Sequence, residues 1–96
     1  MASRTLDLGT GLPGSDLVDS GIADLERGLE TIESLLVSIG AARLERLGIP
    51  ANAPIASPEH RLYERLTEED VDSAHSRYNA LIRRLVSFER AAECAS

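Results

Sequence analysis

Val18-Asp19-Ser20-Gly21-Ile22-Ala23-Asp24-Leu25-Glu26-Arg27-Gly28-Leu29-Glu30-Thr31-Ile32-Glu33-Ser34-Leu35-Leu36-Val37-Ser38-Ile39 is the stretch on which the fold turns. Its residues Val18, Ile22, Leu25, Leu29, Ile32, Leu36 and Ile39 are spaced 4-3-4-3-4-3. That period draws one stripe along a helix, the seam of a heptad repeat. Upstream, Ser15 suits a helix start, and Asp16 and Asp19 suit the positive end of its dipole. Downstream the phase slips through Gly40, Leu44 and Leu47, a four-residue stutter. The helix stops at Arg43-Leu44-Glu45-Arg46-Leu47-Gly48-Ile49-Pro50. There Gly48 can take the left-handed turn, Ile49 can pack back on Leu44, and Pro50 forbids continuation. The spacing thus predicts one helix over 16–47, roughly 48 Å long.

Working outward, residues 50–56 carry Pro50 and Pro54 and no charge, and read as a connector. Ser57-Pro58-Glu59 starts a short helix over 58–66, with Ser57 as its cap. Thr67-Glu68-Glu69-Asp70-Val71 reads as a second start, with Leu66 and Val71 spaced for a hydrophobic staple. A long helix over 68–93 follows, with Val71, Ala74, Tyr78, Leu81, Leu85, Phe88 and Ala92 as its seam. The expected fold is all-α: an antiparallel helical hairpin of a long, a short and a long helix. Residues 15–96 form its single domain, and 1–14, with Gly9, Gly11, Pro13 and Gly14, a flexible N-terminal arm.

A single hairpin buries little, because each helix has one neighbour. Leu17 and Leu35 beside the first seam, and Ile82 and Val86 beside the second, are surplus apolar residues. Gly21 and Gly28 stand seven apart on the same flank, where glycine permits a close helix approach. These six positions are the expected interface. They imply a four-helix bundle completed by a homodimer or by a hetero-partner protein. Arg77 and Arg84, seven apart beside the second seam, form a charged edge expected to pair with Glu26 and Glu33 across the helices or to face a partner.

Composition bounds the function. The chain has 96 residues, 43% of them hydrophobic and 27% charged, which is globular composition for one domain. It has three aromatics, no Lys and no Gln; ten Arg against 16 acids leave a net charge of -6. That balance disfavours nucleic acid, which needs a basic footprint or stacking rings; the arginine edge of the last helix keeps a nucleic-acid-associated helical protein as a third reading. The acidic balance suits approach to a more basic protein. Exclusive use of Arg as the basic residue points to a GC-rich bacterial genome. No apolar run suggests a membrane span or leader, so a cytoplasmic location is expected. Cys94, without a second cysteine, implies no internal disulfide.

Two strings suggest chemistry. Thr5-Leu6-Asp7-Leu8-Gly9-Thr10-Gly11-Leu12-Pro13-Gly14 resembles the first glycine-rich motif of the S-adenosylmethionine-dependent methyltransferases. The resemblance implies a cofactor-binding turn after a strand. It covers about ten residues, and the all-helical remainder supplies no sheet to hold that turn. Asp72-Ser73-Ala74-His75 has the spacing of the Glu-x-x-His of ferritin-like di-iron bundles, with Asp for Glu, and Glu30 on the first helix as a further ligand. A metal-binding bundle enzyme on Asp72, His75 and Glu30 is therefore the alternative. The leading reading assigns no catalytic residue and no cofactor. It is a small acidic interaction module, an accessory subunit, adaptor or inhibitor.

Overall fold

The computed structural model describes residues 12–95. Five helices run in order: α1 Ser15–Glu26, α2 Ile32–Ile39, α3 Ala41–Arg46, α4 Pro58–Glu69 and α5 Ala74–Ala95. Among the described residues every regular element is a helix, as the patterning predicts. The layout differs from the expected hairpin, because the long first helix is broken twice.

The first break lies inside the seam. Gly28 takes a left-handed backbone, φ 72°. The amide of Leu29 then donates to Asp24 O at 2.8 Å and that of Gly28 to Leu25 O at 3.0 Å. This pair of bonds is the left-handed closure that ends helices. Thr31 restarts the chain with a reciprocal cap: the Ser34 amide donates to Thr31 Oγ1 at 3.0 Å, and the Thr31 amide to Ser34 Oγ at 2.7 Å. The Thr31 hydroxyl also donates to Asp24 Oδ2 at 2.7 Å, tying the new helix to the old. α2 folds back on α1 instead of extending it.

Gly21 is what allows that return. A Cβ built on it would lie 2.4 Å from both Glu33 O and Val37 Cγ2. The close approach read from the sequence exists, but the neighbour is α2 of the same chain. Gly28 packs against nothing: a Cβ there meets no atom within 4 Å. Gly21 is therefore filled within the chain, whereas Gly28 stands in open space at the end of α1.

The second break is Gly40, between α2 and α3. α2 thereby becomes the centre of the molecule, touching α1, α3, α4 and α5. Leu35, Leu36 and Val37 have no exposed surface. Leu35, expected on a partner-facing flank, is core because a short central helix has neighbours on every side. Around it pack Val18, Leu25, Leu44, Leu62, Leu66, Ala74, Leu85, Phe88 and Ala92. Leu17 and Ile82 are half-buried against this cluster. Leu35 is thus covered, and Leu17 and Ile82 are partly covered, within one chain. A Cα radius of gyration of 13.2 Å fits a folded chain of this length, about 13 Å.

The later helices follow the reading more closely. α4 begins at Pro58, but Ser57 sits at φ 50° and makes no side-chain cap bond. α4 passes through Thr67 to Glu69, so Thr67 is not a cap; its hydroxyl donates to Tyr63 O at 2.8 Å, within the helix. The turn falls at 70–73, where Asp70 Oδ1 accepts from the Asp72 amide at 3.1 Å. Val71 is consequently 68% exposed in that turn, outside the seam. From Ala74 onward the seam holds, with Ala74, Leu85, Phe88 and Ala92 buried and Tyr78 and Leu81 half-buried. Leu12, placed in the arm by the sequence, packs on the core. Residues 1–11, with most of the glycine-rich string, lie outside the described residues.

Candidate functional site: a groove between α1, α2 and α5

α1 crosses α5 near its start, and α2 begins beside the same turn of α5. Between them runs a groove of 310 Å³. Leu17 from α1, Ile32 from α2, and Ala80 and Leu81 from α5 give it an apolar lining. Glu33, Arg77 and Arg84 supply its charges. A second hollow of 430 Å³ is lined by Pro13, Gly14, Arg83 and Ser87, with Ala80 and Arg84 common to both. Arg77, Arg83 and Arg84 of α5 thus border these two hollows.

Helical geometry explains the cluster. Arg77, Leu81 and Arg84 recur at intervals of four and three, so they share a face of α5. α1 docks beside that face at Gly14, where a Cβ would sit 2.8 Å from Arg84 O. This contact carries Leu17 and Asp16 to the arginines. Arg84 Nη2 donates to Asp16 Oδ1 at 3.2 Å, and Arg77 Nη1 to Glu69 Oε1 at 2.8 Å. The expected pairing with Glu26 and Glu33 is replaced, since α1 and α2 are separate helices with a different register against α5. Both observed pairs are solvent-facing, and such pairs are worth about 0–1 kcal/mol.

The groove brings together Leu17, Arg77 and Arg84 from the predicted residues. Ile82 is packed against the core, Val86 is partly buried one turn on, and Gly21, Gly28 and Leu35 are elsewhere. Ile32 and Leu81, seam residues by their spacing, line the groove as well. Their half-exposure follows from the α1–α2 turn, which the heptad spacing conceals.

Within the single chain, Asp72, His75 and Glu30 do not form one ligand group. Glu30 is engaged by Arg61, whose Nε donates to Glu30 Oε2 at 3.0 Å. That hydrogen bond, and then the Glu30 charge, raise the Arg61 pKa. Asp72 lies in the α4–α5 turn, and His75 Nε2 is 3.2 Å from Asn79 Nδ2 on the exposed side of α5. Among the described residues no three His, Cys, Asp or Glu side chains gather in a way that could hold a metal ion. Nor is any described helix long and apolar enough to cross a membrane. A larger cleft of 560 Å³ between the α2–α3 corner and the 50–57 loop has Glu45 as its one charged lining residue. It lacks the charge pattern that would select a ligand.

One buried acid was missed by sequence reading. Glu89 of α5 has a side chain only 6% exposed. Burial pushes its carboxyl above the ordinary carboxylate range, against the opposing pull of Arg43. Comparison of the chain with family models, with curated proteins and with solved structures yields no match.

Proposed function

We propose that this chain is a non-catalytic interaction module, an accessory subunit, adaptor or inhibitor, whose groove between α1, α2 and α5 receives a short segment of a partner protein. The supporting observation is the convergence of Leu17, Ile32 and Leu81 with Arg77 and Arg84 in one depression. Such a surface suits an apolar side chain flanked by carboxylates. The apolar part supplies burial, while the arginines set register and reject like charge.

The reading does not require a second copy of the chain, because Leu35 is covered and Ile82 half-buried within the chain. The net charge of -6 favours approach to a basic protein as a whole. The groove lining itself carries two arginines, Arg77 and Arg84, against Glu33, so the contacting segment presents carboxylates to the arginines. Asp16 and Glu69 occupy the arginines in the free protein and are replaced by the partner's carboxylates.

Selection of peptides from a random display library on the immobilised protein tests this reading. Selected peptides should place Asp or Glu beside a large apolar residue. Their amide-shift footprint should fall on Leu17, Ile32 and Leu81. Combined Arg77→Glu and Arg84→Glu should weaken them about tenfold or more, equivalent to about 1.4 kcal/mol. Peptides that bind both forms equally, or that map to another face, would overturn it.

A further inference from the structure

Glu89 lies where the last turns of α5 cross the α2–α3 corner. Its Oε2 rests against Gly40: a Cβ on that glycine would be 2.7 Å from it and 3.1 Å from Leu85 Cδ2. The glycine at the corner thus makes room for the acid. Arg43 of α3 is its ion-pair partner among the described residues, with Nε 4.0 Å from Oε1. That separation is beyond hydrogen-bonding reach. Arg43 is itself half-exposed and shared with Glu93, whose Oε1 lies 3.4 Å from its Nη2. Facing Glu89, then, are Arg43 from α3, the competing Glu93 one turn along α5, the uncharged Gly40 from the corner, and Leu85 from the preceding turn. A carboxylate buried among such neighbours is poorly compensated when ionised.

We propose that Glu89 is a proton-operated latch: protonated, it seals the end of α5 onto the α2–α3 corner, and ionised, it loosens that contact and leaves Arg43 as the restraint. Opening the corner returns Glu89 to water, where it titrates like an ordinary glutamate. The direction of its shift in the closed form agrees, since burial disfavours the charge. Stability contributed by the proton is fully present below the ordinary glutamate range. It is lost as pH rises through the higher value of the closed form. The proposal stands apart from the groove, which involves neither Gly40, Arg43 nor Glu89.

Carboxyl-carbon NMR titration of the full chain is the direct test, run alongside Arg43→Ala and Glu89→Gln. In the unaltered chain Glu89 should titrate above the other glutamates. Arg43→Ala should move it further upward, since the opposing charge is gone. Each pH unit of separation should appear as about a tenfold loss of exchange protection at the corner amides once Glu89 ionises. Glu89→Gln should remove the pH dependence there. Titration of Glu89 with the exposed glutamates would overturn the proposal. A downward shift in Arg43→Ala would do the same. Both readings come from chains that keep Glu89, so they stand even if Glu89→Gln does not fold.

Discussion

α2 and the last third of α5 both bury polar side chains, and they treat them oppositely. In α2, Ser34 and Ser38 are buried but fully engaged. Ser34 Oγ accepts from the Thr31 amide and donates to Thr31 O at 3.1 Å. Ser38 Oγ donates to Ser34 O at 2.8 Å and accepts from the Ile55 amide at 2.9 Å, pinning the 50–57 loop to the core. In α5, Glu89 is as deeply buried but has one charge 4.0 Å away. A satisfied hydroxyl contributes rigidity at small cost, whereas a carboxylate without hydrogen-bond donors couples packing to protonation. The centre of this molecule is therefore built to stay closed, and its α5 end to respond.

The comparison can be broken by substitution. Leu36→Ala, at a position with no exposed surface in the helix that touches all others, should cost about 2–5 kcal/mol in denaturant unfolding. Gly21→Ala should cost about 1–3 kcal/mol, because the new Cβ meets α2 backbone and the helices must part. Ser38→Ala should cost about 1–3 kcal/mol and selectively speed hydrogen exchange of the Ile55 amide, now without its acceptor. Glu89→Gln should behave unlike these. Relative to the unaltered chain its melting temperature should rise with pH, because ionisation penalises only Glu89. A difference independent of pH would remove the contrast between the two regions. Combined Arg77→Glu and Arg84→Glu, which removes two solvent-facing ion pairs, should lower stability by about 0–2 kcal/mol.

The helical class, the stop at Gly48 and the α5 seam from Ala74 were legible in the sequence. Leu17, expected at an interface, and Arg77 and Arg84, expected as a charged edge, line one groove. The break at Gly28 was also written in the sequence, and it uses the same device as the stop at Gly48. Leu44-Glu45-Arg46-Leu47-Gly48-Ile49 ends α3 with the Ile49 amide on Leu44 O at 2.9 Å. Asp24-Leu25-Glu26-Arg27-Gly28-Leu29 ends α1 with the equivalent bond. Two effects hid it. No proline follows Gly28, and the 4-3 spacing continues unbroken through Leu29 into α2. A period shows which residues share a face only if the helix is continuous, and two helices folded on each other also satisfy it. The Thr31–Ser34 box was a further sign, unread because Ser replaces the usual Glu at its third position. Glu89 was not legible at all. Its burial depends on Gly40 bringing the α2–α3 corner against α5, a long-range contact that no local pattern encodes.

Residue-resolved native-state hydrogen exchange, followed from about pH 4 to about pH 8 and corrected for intrinsic exchange, tests the contrast between sealed centre and responsive end most directly. Amides of Leu35 to Ser38 should exchange only through global unfolding. Those of Leu44 and of Phe88 to Ala92 should exchange through a smaller opening that becomes easier as pH rises. Equal protection at both places, or an opening at the corner indifferent to pH, would contradict the account.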